Sequence, residues 1–308
     1  MRKTILSLII CALALPTSAQ ISVAKYQEDR QAAISYTFDD GLLEHYTLVF
    51  PKLKELGLKA SFCIIGSKVG REQKGTPCMT WEQIREMAHD GQEISSHGYR
   101  HLSMEKITGE ALRYEVQHND TLIYKKAGVF PRTYFFPGNR KTEEALAFTS
   151  KDRVGTRTFQ VSFGSKRDSL WMVHWVERLL KNGEWGVTMT HGITEGYDAF
   201  PNPQVLWNHL ETISKMQDKI WIATLHDVCA YITERDNTQL DIKETKKGYV
   251  ITPKMKLDHS LFQVPLTLII EKVVKSARQG KQELKVIVKD NKRLINFLPG
   301  GGDIIITL

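Results

Sequence analysis

The sequence predicts an α/β fold: a distorted (β/α) barrel of about seven strands, followed by a small all-β, sandwich-like domain. Three observations carry that expectation. Between residues 31 and 226 short apolar runs alternate with longer amphipathic stretches, the signature of strands joined by helices. The strings richest in carboxylates and imidazoles fall at the ends of those runs, where α/β folds gather functional groups, and their placement at successive strand ends favours a barrel over a doubly wound sheet. Beyond about residue 240 the pattern shortens to strands separated by Pro, Gly, Asn and Lys.

The first element stands outside the fold. Arg2 and Lys3 precede an apolar run from Ile5 to Leu15, and Pro16-Thr17-Ser18-Ala19 offers small residues for cleavage. This is the pattern of a secretory signal peptide over residues 1–19, too short to cross a membrane, and it predicts a secreted or periplasmic protein. Cys11 lies within the apolar run without a small residue before it, so no lipid anchor is expected. No later stretch reaches spanning length, so no integral membrane segment is expected either.

Residues 20–236 read as the barrel. Strands are expected at 33–38, 59–65, 92–96, 132–136, 154–159, 185–190 and 220–225, with helices at 46–56, 80–90, 103–126, 142–151, 169–181 and 203–217. Thr80-Trp81-Glu82-Gln83 has capping-box spacing, and Asn202-Pro203 places a cap before a helix-starting proline. Gly57, Gly91, Gly128 and Gly183 mark helix stops. A last helix at about 226–235 closes the unit, and the polar string from Glu234 to Gln239 reads as a linker. Residues 237–308 then form the β domain, with strands near 249–252, 266–274, 283–288, 294–298 and 303–308.

Composition bounds the chemistry. The net charge of +7 is uneven: residues 20–240 hold 27 basic and 28 acidic groups, residues 241–308 hold 13 and 7. The basic tail reads first as a solvated face and second as a dock for an acidic glycan or cell surface. No nucleic-acid motif accompanies it. The β domain carries Tyr249, Phe262 and Phe297 but no tryptophan, which favours a structural or docking role over sugar binding. Cys63, Cys78 and Cys229 are odd in number, so buried free thiols are expected ahead of a Cys63–Cys78 bridge.

Two strings carry the functional signal. Thr37-Phe38-Asp39-Asp40-Gly41 puts adjacent carboxylates at a strand end; Ser96-His97-Gly98-Tyr99-Arg100-His101 puts two imidazoles four residues apart after another strand. Alone, the first could cap a helix and the second could lie on an exposed helix face. Together, one carboxylate and two imidazoles with an open position make a hydrolytic metal site, and the second carboxylate is free to act as a base.

These strings resemble the first two motifs of the polysaccharide deacetylase family (carbohydrate esterase family 4), over residues about 31–235. The resemblance implies a distorted (β/α) barrel that removes acetyl groups from a glycan. It implies Asp39 as catalytic base, Asp40, His97 and His101 as ligands of a divalent metal, and zinc ahead of cobalt, nickel or manganese. His191, in Val187-Thr188-Met189-Thr190-His191-Gly192, falls where the family has its general acid. Trp175 is the nearer match to the tryptophan beside that histidine, with Asp168 the nearest carboxylate to tune it. The family's third motif departs here: in Tyr134-Phe135-Phe136-Pro137-Gly138-Asn139, Phe135 occupies the place of an arginine that pairs with the base. Arg140 is the expected replacement and Arg132 the reserve, while the Gly138 amide would still stabilise an oxyanion. His45 is expected at the surface. The implied partner is an acetylated glycan: N-acetylglucosamine polymers such as peptidoglycan or chitin-like chains, or O-acetylated xylan. The alternative is a non-catalytic glycan-binding protein built on the same barrel.

Overall fold

The apolar run that opens the barrel is interrupted at Tyr36, and this break organises the sheet. The structure, a computed structural model, describes residues 21–308; the expected signal peptide lies outside the described residues. In chain order the elements are β1 (Ile21–Val23), β2 (Ala32–Ser35), β3 (Thr37–Phe38), α1 (Phe50–Leu56), β4 (Ser61–Ile64), the hairpin β5 (Glu72–Gln73) and β6 (Thr76–Pro77), α2 (Trp81–His89) and β7 (Glu93–Ser96). There follow α3 (Gly109–Arg113), α4 (Asn119–Ala127), β8 (Thr133–Phe135), α5 (Glu143–Ser150), β9 (Gly155–Arg157), β10 (Val161–Ser162), α6 (Ser169–Asn182), β11 (Trp185–Met189), α7 (Gln204–Ser214), β12 (Ile220–Ile222) and α8 (Leu225–Asn237). A π-helical turn, Tyr114–His118, joins α3 to α4, and another, His45–Val49, leads into α1.

The parallel strands run in the orders β10-β11-β2-β12 and β3-β4-β7-β8-β9. A bridge between Phe38 and Thr190 links the two sets, so the single run 32–38 serves both and the sheet curls. Helix α8 packs on β2 and β9 at the remaining gap, giving a distorted (β/α) barrel. Phe38 and Phe62 stack inside it with ring centroids 5.0 Å apart. Met172, Trp175, Val176 and Leu179 supply the buried stripe of α6, at the three- and four-residue spacing of one helix face. This helix lies so close to β11 that a Cβ at Gly186 would meet the Trp175 ring at 2.5 Å. The predicted capping box at Thr80 and Gln83 forms, and Gly57, Gly128 and Gly183 end helices in the left-handed conformation.

The linker expected at 234–239 is absent. Helix α8 runs to Asn237 and passes directly into strand β13 (Thr238–Thr245). Glu234 is fully buried and accepts a hydrogen bond from the Val264 amide at 2.8 Å; burial pushes its carboxyl up to about 7. The string looked like a linker because its other charged side chains lie on the solvent face of the helix, whereas Val228, Tyr231 and Glu234 repeat every three residues on the inner face.

The remaining strands are β14 (Gly248–Met255), β15 (Leu266–Ile270), β16 (Ser276–Gln279), β17 (Gln282–Leu284), β18 (Val286–Lys289), β19 (Lys292–Phe297) and β20 (Ile304–Thr307). They form two antiparallel sheets, β13-β14-β20-β16-β17 and β1-β15-β19-β18. Strand β1 thus belongs to the C-terminal sheets, not to the barrel. Ile251, Leu268, Ile295, Phe297 and Ile304 share one apolar core with Ala33, Trp221 and Tyr231 of the barrel. Cys63, Cys78 and Cys229 are free.

That shared core leads to a prediction. Truncation after Asn237 is expected to uncover Trp221 and Tyr231 and to abolish cooperative unfolding of the barrel; a truncated chain melting within a few degrees of the full one would contradict it. A second prediction concerns His209, buried on α7 with Nε2 2.7 Å from the Tyr36 hydroxyl and its pKa lowered to about 4 by burial. Between pH 6.5 and 4 the unfolded chain takes up a proton there that the folded chain refuses, so stability falls as pH falls. Relative to the parent, His209→Phe is expected to lose about 2–3 kcal/mol less over that range in denaturant titrations.

Candidate active site

The site begins where β3 ends. The Asp39 amide donates to Thr190 O at 2.8 Å, tying the strand end to the segment after β11. Asp40 and Gly41 are both left-handed (φ 74° and 69°), and this sharp turn leaves the two carboxylates buried at one mouth of the barrel. At the end of β7, His97 donates through Nδ1 to Phe135 O at 2.7 Å, so its Nε2 is the free ring nitrogen and sits 3.4 Å from Asp40 Oδ1. His101, left-handed at φ 62°, turns back so that its Nε2 lies 3.5 Å from the same oxygen.

A buried carboxylate moulds the loop between the two histidines. Glu115, on the π-helical turn, accepts from the amides of Arg100 and Leu102 at 2.5 and 3.3 Å and from Arg100 Nε at 3.1 Å. Gly98 (φ 76°) passes so near that an added Cβ would stand 3.1 Å from Glu115 Oε1 and 3.2 Å from the Tyr134 hydroxyl. The His-x-x-x-His spacing is therefore a strand end plus a folded-back loop, not a helix face.

Asp40, His97 and His101 fit a divalent cation. Their donor atoms lie within 4.8 Å of one another, and Asp40 Oδ1 is buried without a hydrogen-bond partner. The spacing of 3.4–3.5 Å is close to the edge of a tetrahedron with metal–ligand bonds of about 2.0–2.1 Å. Burial, and then the neighbouring His97, lower His101 to about 4, so it is a neutral imidazole at physiological pH, as a ligand must be. Burial alone would raise Asp40, but its hydrogen bond and charge contacts with the histidines outweigh this and hold it below the usual carboxylate range. A second cluster, Asp39, Cys63 and His97, fits less well, because burial pushes the Cys63 thiol far up and Asp39 is engaged elsewhere.

That engagement corrects the sequence reading. The cation on Asp39 is Arg157, at the end of β9, with two hydrogen bonds of 2.6 and 2.5 Å from its guanidinium to the two carboxylate oxygens. A third runs from Arg157 Nη1 to Thr37 Oγ1 at 2.6 Å. Arg140 is instead 66% exposed and lies 3.7 Å from Glu105, and Arg132 bonds to Asp152 O and stacks on Phe130. In the parallel pairing of β8 with β9, Phe135 is the register partner of Arg157. The guanidinium lies over the Phe135 ring, 4.3 Å from its centroid. The arginine missing from β8 is supplied one strand over, at the same height. Burial would push Asp39 up, but the charge and hydrogen bonds of Arg157 outweigh it, so the carboxyl sits well below its ordinary range.

His191 follows β11 and is nearly buried, with its Nδ1 lacking a hydrogen-bond partner among the described residues. Its backbone is held by His45, expected at the surface but fully buried, whose Nε2 donates to His191 O at 2.8 Å. Burial holds His45 down at about 4, hence neutral. Asp168 does not tune His191; it caps α6 by accepting from the Trp171 amide at 2.8 Å. Trp175 is likewise a core residue, packed on Phe163, Trp171 and His209 rather than on His191. The turn at Pro137–Asn139 uses the amides of Asn139 and Arg140 internally but not that of left-handed Gly138.

Residues 26–154 match the family model described as polysaccharide deacetylase. Over those residues the barrel of this chain is similar to the polysaccharide deacetylases. YxkH of Bacillus subtilis (strain 168), assigned by its name to the polysaccharide deacetylases, is 28% identical over 136 residues, covering 44% of this chain and 47% of that protein. The chain thus matches about half the length of this curated relative. Two solved structures share the fold of this chain's barrel. A family 4 acetyl xylan esterase from Clostridium thermocellum, in complex with a cobalt ion, superposes with a TM-score of 0.50 at 20% identity, over 64% of this chain and 89% of that one. A structure from Mycobacterium smegmatis, also named for polysaccharide deacetylation, gives 0.55 at 15% identity over 73% and 98%.

In this chain Arg157 and Arg140 have separable effects. Arg157→Met leaves a buried carboxylate unpaired and is expected to cost about 3–5 kcal/mol by urea unfolding at pH 7. The pair's contribution is present above the unfolded Asp range near pH 4 and is lost as acid titrates the folded carboxylate. Arg140→Ala, on an exposed side chain, should stay within about 0.5 kcal/mol of the parent.

Proposed function

We propose that this protein is an exported, metal-dependent deacetylase that hydrolyses acetyl groups on a glycan. The observation that carries the reading is Asp39. It stands beside the metal-ligand triad without belonging to it, and a buried arginine keeps it ionised in the mouth of the barrel. A binding protein has no use for such a group; a hydrolase needs a base.

Asp40, His97 and His101 would hold the metal, which when bound supplies Lewis acidity to polarise the acetyl carbonyl and acidify water. The chain's own residues do the rest. Asp39 accepts the proton of the attacking water. The Gly138 N–H would stabilise charge developing on the carbonyl oxygen. His191 protonates the departing nitrogen or oxygen as the bond to the acyl carbon breaks, giving acetate and a free amine or hydroxyl. Arg157 stays charged throughout and fixes the orientation of Asp39.

The reading as a non-catalytic glycan binder rested on Phe135, and with Arg157 beside Asp39 that ground is gone. The names of the relatives favour a polysaccharide, with peptidoglycan, chitin-like and acetylated xylan chains as the substrates to try. Zinc is the proposed metal, and the pattern of residues 1–19 supports export.

The test is acetate release from N-acetylated and O-acetylated oligosaccharides by zinc-loaded protein. Chelation and Asp39→Asn are each expected to lower the rate at least about 100-fold, with the variant's fold checked by circular dichroism. Absence of acetate from every glycan, in protein shown by metal analysis to be loaded, would sink the proposal.

A further inference from the structure

The segment after His191 is built more rigidly than a connection needs to be. Glu44, nearly buried, accepts from the amides of Ile193 and Thr194 at 2.9 Å and of Glu195 at 3.3 Å, and from the Thr194 hydroxyl. The Gly192 amide closes the loop onto Tyr197 O at 3.0 Å. Asp198 is fixed in turn by Ser162 Oγ at 2.6 Å and by the amide and hydroxyl of Ser165 at 3.0 and 2.6 Å. Gly196 is seated on the β5–β6 hairpin, so close that a Cβ would lie 2.9 Å from Thr76 Oγ1.

What this scaffold presents is an aromatic ring in solvent. Tyr197 is 65% exposed, yet its ring stands perpendicular to His191 with centroids 5.0 Å apart. Lys74, from the hairpin turn, brings Nζ over the ring, 5.7 Å from its centroid. A large apolar face held out of the core, pinned at the backbone and flanking the proposed acid, is unexplained by packing. Exposed rings fixed in advance bind well because little conformational freedom is lost on contact.

We infer that the Gly192–Asp198 loop is a sugar-binding subsite, with Tyr197 as the stacking face for the pyranose next to the one that loses its acetyl group. The inference rests on the deacetylase reading for its position but not for its existence. The C–H face of a pyranose is flat and apolar and matches an aromatic ring, while its equatorial hydroxyls remain free for solvent and for Lys74. The ligand is therefore a glycan of at least two residues, and a monosaccharide would leave the ring unused.

Two measurements test this. In the Asp39→Asn background, which removes turnover, binding of an acetylated tetrasaccharide is followed by calorimetry. Tyr197→Ala is expected to weaken it about three- to tenfold, with Tyr197→Phe and Tyr197→Trp close to the parent. In the active protein, Tyr197→Ala should raise KM for the tetrasaccharide several times more than for the acetylated monosaccharide. Unchanged tetrasaccharide binding overturns the inference, as does an equal loss for both substrates, which would mean that the ring serves His191. If the parent releases no acetate but still binds the tetrasaccharide through Tyr197, the deacetylase reading fails and the subsite stands.

Discussion

The pairing of Asp39 with Arg157 is the constraint on which the rest of the site depends. Both groups are almost wholly buried, and each charge would be costly without the other. Keeping them together fixes several things at once. Strand β9 must stay in register with β8, Thr37 must offer its hydroxyl, and position 135 must present a flat surface on which a guanidinium can rest. Once Asp39 is committed to Arg157, it is withdrawn from metal binding, and Asp40 is left as the carboxylate facing the two histidines. Adjacent, chemically identical residues thereby receive different roles from their surroundings alone.

Carboxylates also act here as builders of loops. Glu115 and Glu44 are buried, and each collects backbone amides from a segment that carries a candidate site histidine, Glu115 behind His101 and Glu44 behind His191. Neither segment is regular structure, so the amides that Glu115 and Glu44 collect have no ladder to join. A carboxylate satisfies two or three of them from one point and fixes the path of the chain. The π-helical turn that holds Glu115 widens its helix at the point where that reach is needed.

Much of this was legible in the residues. The seven expected parallel strands are all present within a few positions, and so are the helices between them except the one expected at 103–126, which starts only at Gly109 and is divided by the π-helical turn; each carries its own period and many carry caps. That one carboxylate of the Asp39-Asp40 pair would meet His97 and His101 was also readable, since short spacing at two strand ends leaves little freedom; that it is Asp40 was implied by the family resemblance. What could not be read was pairing across the fold. Arg157 is 118 residues from Asp39, and nothing local marks it; only the alignment of β8 with β9 shows that it replaces the residue missing at 135. His45 looked superficial because a lone polar residue past a glycine usually is, and its burial depends on the His191 carbonyl far along the chain. The split of residues 32–38 between two sets of strands escaped for a similar reason: an unbroken apolar run does not reveal that it has two sets of neighbours.

Strand β1 bears on how the chain reaches this state. Ile21–Val23 pairs with Leu268–Ile270, so one of the earliest described segments waits for one of the last. Contacts of such long sequence separation form slowly, since a large loop must close before they contribute. Until β15 is available, the apolar flank of the barrel around Ala33, Trp221 and Tyr231 lacks its cover. A chain interrupted during synthesis would present that flank as a sticky surface, and the folded protein has to emerge as one cooperative unit in which residues 21–23 are secured by residues 268–270.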